Sequence, residues 1–214
     1  MTSRRRTVLR LAAAWVAAVH WSTAAMAIEE PGYAVVEREG AIEVRDYGGY
    51  VVAETMVDGA FDEVGNEGFR RLFAYISGAN RDARKIAMTA PVEQQAAGTR
   101  IAMTAPVEQQ RAGDRWRIAF VLPASFTLDT APAPTDARVS VAAVAPRRVV
   151  AIRYSGTWSE ARYAEQLAGL QAFVAERGLV AAGEPVFARF DPPFMPWFLR
   201  RNEIQIPLAA APAR

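Results

Sequence analysis

The spacing of apolar residues changes along the chain between the period of a β-strand and that of an α-helix, and both periods occur near its start. Apolar and polar residues alternate over Tyr33–Glu39 and 41–47, on either side of a glycine, which predicts a β-hairpin. Another alternating stretch, Tyr50–Val57, predicts a third strand. From residue 61 to 77 the period becomes helical, and Gly78 is expected to end that helix. The predicted apolar stripe is Phe61, Val64, Gly68, Leu72 and Ile76, with Phe69 and Phe73 beside it.

The second half of the chain repeats these signals. The segment Thr157-Trp158-Ser159-Glu160 matches a capping box and predicts a helix that runs to Arg177. The predicted buried stripe of this helix is Tyr163, Leu167, Leu170 and Val174. Five further strands are predicted, at 116–122, 138–144, 147–154, 184–190 and 202–206.

The order of elements is the same in both halves. Strand 50–57, a helix and two strands are followed later by strand 147–154, a helix and two strands. A β-α-β-β unit used twice predicts an α+β domain, in which a curved, mostly antiparallel sheet carries both helices. The length of 214 residues suits a single domain.

One short segment occurs twice. Residues 86–95, IAMTAPVEQQ, recur letter for letter at 101–110. We expect the two copies to form a two-stranded arrangement, with Pro91 and Pro106 at edges or bends. Two explanations stay open at this point: a tandem duplication in a tolerant loop, and a ligand site.

The N-terminal segment, 1–27, has the pattern of a secretory signal. Four arginines, at 4, 5, 6 and 10, precede a short apolar stretch, and Ala25-Met26-Ala27 is an A-x-A cleavage site. The stretch around the arginines also approximates a twin-arginine export signal. We therefore expect a periplasmic or secreted protein whose domain is residues 28–214. No apolar run is long enough for a helix that spans a bilayer, so no transmembrane anchor is expected after cleavage.

Charge and composition then exclude several functions. Removing residues 1–27 takes away four of the 25 basic residues and no acidic one, which leaves 21 basic against 23 acidic residues. A nucleic-acid surface built on bulk positive charge is therefore not expected. The chain has no Cys, and its one His is His20 in the signal. The mature chain accordingly lacks disulfides, Ser-His-Asp catalysis, and any His ligand for zinc or haem iron.

No catalytic set is recognisable among the remaining residues, so we expect a protein that is not an enzyme. Glu93 and Glu108 are paired carboxylates, but the duplication alone explains their match, and Ser159 fits a helix cap. Large soft side chains are more suggestive, because they can line a pocket for a flat hydrophobic ligand. They are Met88, Met103, Met195, Phe69, Phe73, Phe194, Trp197 and Phe198.

Several segments together resemble one known family. They are KIAMTAPV at 85–92, WRIAFVLP at 116–123, FDPP at 190–193, RRNE at 200–203, and YISGAN at 75–80. This combination resembles the SOUL haem-binding protein family over about residues 33–207. The resemblance implies a distorted β-barrel with two helices, made from two β-α-β-β repeats. It also implies that the protein binds haem or a related tetrapyrrole. Our first hypothesis is an exported monomer that binds such a ligand without catalysis.

Only part of the family's haem site can be matched to residues of this chain. In animal members of the family, haem lies on a hydrophobic surface beside the first helix, with basic groups near the propionates. The apolar helix positions correspond to Phe69 and Phe73, whereas the family's basic positions fall on Asn66, Ala74 and Met195. Three candidates remain. Arg70 and Arg71 are the candidate cations for the propionates, and Tyr75, the tyrosine nearest to this surface, is a candidate ligand of the iron.

Two other functions stay open. One is a small-molecule hydrolase with a Glu or Tyr in a central cleft, which predicts a buried Glu that faces a cleft. The other is an envelope interaction module, which predicts an exposed loop at 194–198 with no pocket beneath it. Haem binding predicts instead that substitutions of Phe69 or Phe73 abolish binding.

Overall fold

The computed structural model describes residues 28–81 and 98–209. The strands and helices follow the sequence pattern closely, and a 3₁₀ turn at Trp197–Leu199 separates the last two strands. The elements are β1 Tyr33–Glu39, β2 Ile42–Tyr47, β3 Tyr50–Val57, α1 Phe61–Ile76, β4 Asn80–Arg81, β5 Val107–Ala112, β6 Arg115–Val121, β7 Ala133–Pro134, β8 Val139–Val144, β9 Arg147–Tyr154, α2 Glu160–Glu176, β10 Val186–Arg189 and β11 Asn202–Pro207.

Nine of these strands form one antiparallel sheet, in the order β1-β2-β9-β11-β10-β5-β6-β3-β8. Each β-α-β-β unit contributes three adjacent strands, β3-β6-β5 and β9-β11-β10, and the two units meet where β5 pairs with β10. The strand before each unit pairs with the other unit, β2 with β9 and β8 with β3. The curved antiparallel sheet with two helices predicted from the sequence is thus confirmed, as a half-barrel in an α+β fold.

Both helices pack on one face of the sheet, α1 against β3 and β6, and α2 against β9 and β11. The apolar stripe predicted for α1 is buried, because Phe61, Leu72 and their neighbours enter the main core. Gly68 allows α1 to approach β6: a Cβ at this position would lie 2.5 Å from Cγ1 of the fully buried Ile118. A side chain at position 68 would therefore push the helix away from the sheet.

The opposite face of the sheet carries a small apolar cluster, Val52, Ala119 and Val121, together with buried polar side chains. Arg45 of β2 donates a hydrogen bond of 2.6 Å to Glu203 of β11, and both side chains are buried. Tyr50 donates a bond of 2.8 Å to Glu108, which also accepts one of 3.2 Å from Arg117. Each buried carboxylate therefore has a cationic partner, as burial of charge requires. The alternation of the strands gave no indication of these ion pairs.

Some sequence expectations need correction. The N-cap of α2 is Ser159, whose hydroxyl accepts from the amide of Arg162, and not Thr157 at the start of the matched box. The second copy of the repeated segment enters β5, which has β10 on one side and β6 on the other. Its residues 107–110 therefore do not pair with the first copy, because both edges are filled. Pro106 directly precedes the strand, as expected.

Three expectations concern parts of the chain outside the described residues: the signal at 1–27, the first copy at 86–95 and the last residues of the domain. Among the helices described, none has both the length and the apolar character needed to cross a membrane.

Candidate functional site

One edge of α1 carries four of the residues singled out by the sequence. Asn66, Phe69, Arg70 and Phe73 follow a spacing of three and four residues, so they lie on one stripe of the helix. The rings of Phe69 and Phe73 are stacked, with centroids 5.7 Å apart and planes 11° apart. Phe69 also packs edge-on against Phe120 of β6, at 5.2 Å. Phe73 is 48% exposed, an unusual position for a phenylalanine, and offers an apolar surface to a ligand.

Arg71 lies on the other edge of α1. Its guanidinium donates to the main-chain oxygen of Met56 at 3.0 Å and to the hydroxyl of Thr55 at 3.3 Å, and it pairs with Glu67. These bonds tie the helix to β3. The structure therefore separates Arg71 from the stripe of Phe69 and Phe73, whereas Arg70 stays on that stripe and is exposed.

Tyr75 is buried beneath the helix, at 1% exposure. Its hydroxyl donates a hydrogen bond of 2.8 Å to the carbonyl of Pro132. Burial also raises the pKa of Tyr75 to about 12, so the phenolate needed by an iron ligand is disfavoured. This tyrosine serves the packing of α1 and does not face the stripe.

Met195 lies in the loop between β10 and β11, where four large apolar side chains are exposed. They are Phe194 at 84%, Trp197 at 58%, Phe198 at 58% and Leu199 at 61%. The loop is nevertheless held firmly, because Arg200 donates to the main-chain oxygens of Met195 at 2.8 Å and Pro193 at 2.7 Å. These hydrogen bonds hold the main chain of the loop, which keeps its exposed apolar side chains in place.

Two arginines that the candidate set did not include lie beside Trp158, and one of them also packs against α1. Arg189 of β10 packs against Gly65, one helical turn before Phe69: a Cβ at Gly65 would lie 2.7 Å from its Nη1. Its guanidinium lies 5.1 Å from the ring centre of Trp158, and that of Arg200 lies 4.3 Å from the same ring. The stripe and the loop are thus joined through Trp158.

Arg189 is poorly neutralised. Its Nη2 donates to Gln109 at 2.8 Å, its Nε has no partner, and no described carboxylate lies within ion-pair distance. Burial accordingly lowers the pKa of Arg189 to about 10. A buried cation of this kind favours the approach of an anion. Sequence reasoning had no signal for Arg189, since only the pairing of β10 with β5 brings it under α1.

We name these groups the aromatic shelf: Phe69, Phe73, Arg189 and Arg200. An apolar surface beside unneutralised guanidiniums suits a flat apolar ligand with acidic groups on one edge. The shelf is open to solvent. Two clefts formed by described residues lie elsewhere, one of about 640 Å³ beside Tyr50 and one of about 400 Å³ beside Glu203.

The clefts bear on the hydrolase alternative. Glu203 is fully buried next to the smaller cleft, as that alternative predicts, but it is held by the guanidiniums of Arg45 and Arg201. Glu108 is bound to Arg117 and Tyr50 in the same way. Both oxygens of each carboxylate already accept hydrogen bonds from protein side chains, so neither carboxylate is free to take a proton from a substrate. Among the residues described, no cluster of three acidic, His or Cys side chains is suited to a metal ion.

Solved structures with a similar fold have low sequence identity to this chain. The C-terminal domain of EcmrR matches 79% of the chain and 98% of its own length, with a TM-score of 0.58 and 10% identity. A hydrolase from Listeria innocua matches 81% of the chain and 94% of its own length, with a TM-score of 0.52 and 13% identity. At these identities the comparison supports the fold alone.

Sequence relatives are more informative. "Heme-binding protein 1" of Xenopus laevis is 28% identical over 170 residues, which are 78% of this chain and 84% of the relative. "Heme-binding protein 2" of Homo sapiens is 29% identical over 162 residues, which are 73% and 75% of the two chains. The family model described as "SOUL heme-binding protein" matches residues 28–207. The chain therefore belongs to the SOUL haem-binding protein family.

Proposed function

We propose that this protein binds haem or a related tetrapyrrole on the aromatic shelf, as a monomer in the cell envelope, and does not transform it. One observation carries the choice of surface. The stacked pair Phe69 and Phe73 follows the turn of α1 at which Gly65 packs against Arg189, a guanidinium without a carboxylate partner among the described residues. A tetrapyrrole ring is flat and apolar, and haem carries two propionates at one edge. Membership of the family supports the class of ligand.

The residues present fit the ring and the propionates better than the iron. The mature chain has neither His nor Cys, and Tyr75 is buried with its hydroxyl bonded to Pro132. The remaining candidate for an iron ligand is Met195, which is half-buried in the loop between β10 and β11. The iron would supply ligand-exchange and redox chemistry, while the protein's own residues bind the ring and orient its carboxylates.

The first experiment is a titration of haemin into residues 28–214, followed at the Soret band. Phe73→Asp removes the exposed ring of the shelf, and we expect it to weaken binding at least tenfold, since burial of one aromatic side chain contributes roughly 1.5–3 kcal/mol. Val180→Asp is a matched control, because Val180 is also exposed, at 66%, but follows α2. Equal binding by both variants would reject the shelf as the site.

A second titration tests the role of the guanidinium. Arg189→Gln should weaken the binding of haemin but leave the binding of its dimethyl ester unchanged, because the ester has no carboxylate to attract. An equal loss for both ligands would mean that Arg189 only supports the packing of the shelf.

The envelope location rests on the N-terminal pattern at 1–27. Isolation of the protein from a periplasmic fraction, with Ile28 at its N-terminus, is the expected result. Recovery of the full chain from the cytoplasm would reject this part of the proposal. Light scattering of the purified protein, with and without haemin, should give the mass of one chain.

A further inference from the structure

The cleft of about 400 Å³ beside Glu203 has a surplus of positive charge. Four arginines line it, and each comes from a different part of the sheet. They are Arg38 of β1, Arg45 of β2, Arg153 of β9 and Arg201, which directly precedes β11. Two carboxylates line the same cleft, those of Glu43 and Glu203. A cleft lined by four cations and two anions favours a negatively charged occupant.

The carboxylates near the cleft are engaged by three of these arginines. The ion pairs, all of 2.5–2.9 Å, are Arg38 with Glu43, Arg45 with Glu43 and with Glu203, and Arg201 with Glu203 and with Glu30. Glu30 does not itself line the cleft. Even when Glu30 is counted, three carboxylates face four guanidiniums, so one positive charge is left over.

The arginine left over is Arg153. Its neighbours in β9, Ile152 and Tyr154, belong to the core beneath the helices, so Arg153 lies on the opposite face of the sheet. Glu203 is directly opposite Arg153 in the pairing of β9 with β11, yet no ion pair forms between them. Among the described residues the guanidinium of Arg153 has no carboxylate partner, and it is exposed. Its N–H donors are therefore free to bind an anion.

The cleft also indicates the class of this anion. A guanidinium binds the two oxygens of a carboxylate or phosphate group through parallel hydrogen bonds. The volume of about 400 Å³ lies in the range of roughly 300–1,000 Å³ that small organic ligands occupy. Tyr33, which is 37% exposed, lines the cleft, and its ring centre lies 4.4 Å from Cζ of Arg45. This ring offers a flat wall to the organic part of a ligand.

We infer that this cleft binds a small organic anion, and that Arg153 takes its carboxylate or phosphate group. The anion neutralises the guanidinium that the fold leaves without a partner, while the rest of the ligand fills the cleft against Tyr33. The site is separate from the aromatic shelf, and it does not depend on the binding of a tetrapyrrole.

Calorimetric titration of the purified protein with citrate and with inorganic phosphate tests this inference. Sodium chloride holds the ionic strength constant, so that screening is the same in each titration. We expect saturable binding of one anion per chain. Tighter binding of citrate would identify a carboxylate as the preferred group, and tighter binding of phosphate would identify a phosphate. Absence of saturable binding for both probes would overturn the inference.

Arg153→Gln is the decisive variant. Because Arg153 has no ion pair among the described residues, the substitution should leave the free energy of unfolding unchanged, but it should weaken anion binding at least about tenfold. Arg153→Lys keeps the charge without the planar fork and should recover part of the affinity.

Arg115→Gln is the matched control for these variants. Arg115 is also an exposed strand residue without a carboxylate partner in the part of the chain that the structure describes, but it does not line the cleft. Equal anion affinity of Arg115→Gln and Arg153→Gln would overturn the inference.

A titration of haemin in saturating citrate keeps this site distinct from the aromatic shelf. We expect the affinity for haemin to be the same with and without citrate, and the same in Arg153→Gln. Displacement of haemin by citrate would show that the cleft binds the propionates, and would overturn the assignment of a separate site.

Discussion

The guanidinium of Arg189 fills the space that a side chain on Gly65 would occupy. A Cβ on Gly65 would lie 2.7 Å from Nη1 and 3.3 Å from Nη2 of this arginine. The absence of a side chain at one position of α1 thus allows a cation from β10 to lie against the helix, one turn before Phe69. This contact links β10 to the aromatic shelf. Substitution of a glycine that makes room for Arg189 tests ligand binding, whereas substitution of a glycine that lets α1 approach the sheet tests helix packing.

We predict that Gly65→Ala weakens the binding of haemin without destabilising the protein. The added methyl group meets the end of a flexible side chain, so Arg189 moves and the helix keeps its position. Alanine is favoured over glycine inside a helix by about 1 kcal/mol, which should raise the free energy of unfolding slightly. Urea denaturation and a Soret titration of the same variant measure the two effects. A stable variant with unchanged affinity would separate Arg189 from the site.

Gly68→Ala, one turn further along α1, should behave in the opposite way. Its Cβ would lie 2.5–2.9 Å from three carbon atoms of Ile118, which is fully buried in β6 and has no room to move. We expect overpacking to lower the free energy of unfolding by about 1–3 kcal/mol, in spite of the gain in helix propensity. Urea denaturation is again the measurement. Equal stability of the two alanine variants would contradict the close contact between α1 and β6.

These two glycines show what the sequence was able to predict. The helical period placed Gly68 on the buried stripe of α1, and the order of elements predicted both the repeat and the sheet. Local pattern does not report which distant strand lies beneath a helix, so the partner of Gly65 was not predictable. The same limit applies to Arg71, Tyr75 and the ion pairs of Glu203: their positions depend on contacts between elements far apart in the chain.

Tyr75→Phe distinguishes a packing role from a role as iron ligand. Removing the hydroxyl leaves the carbonyl of Pro132 without its bond of 2.8 Å, and we expect a loss of about 1–3 kcal/mol in the free energy of unfolding. The Soret and charge-transfer bands of the haemin complex should be unchanged, because this tyrosine is buried away from the shelf. A shift of these bands would restore Tyr75 as a ligand.

Glu203→Gln should destabilise the protein strongly. The carboxylate is fully buried and pairs with Arg45, which is itself 2% exposed and keeps Glu43 as an ionic partner when this charge is removed. Removing one partner of a buried ion pair costs up to about 3–5 kcal/mol. Asp46→Asn removes the exposed pair with Arg148 and is the matched control, for which about 0–1 kcal/mol is expected. Denaturant unfolding of both variants compares them. Similar losses would mean that the buried network contributes no more than a surface pair.

Alkaline pH should destabilise the fold through its buried tyrosines. Burial raises the pKa of Tyr47, Tyr75 and Tyr163 to about 12, against an ordinary value near 10. Below pH 10 these tyrosines are protonated in both states. Between pH 10 and 12 they lose protons in the unfolded chain before they do so in the fold, so the free energy of unfolding falls as the pH rises.

Each tyrosine contributes up to about 1.4 kcal/mol per pH unit to this fall. Arg189 acts in the opposite direction over the same range, because burial lowers its pKa to about 10. It is one group against five, since burial also raises the pKa of Tyr50 and Tyr154. Urea denaturation at intervals from pH 8 to 12 should therefore show constant stability up to about pH 10 and a steep loss above it. In Tyr75→Phe the loss should be shallower by one tyrosine's share. Stability that stays constant to pH 12 would mean that these hydroxyls are not desolvated in the fold.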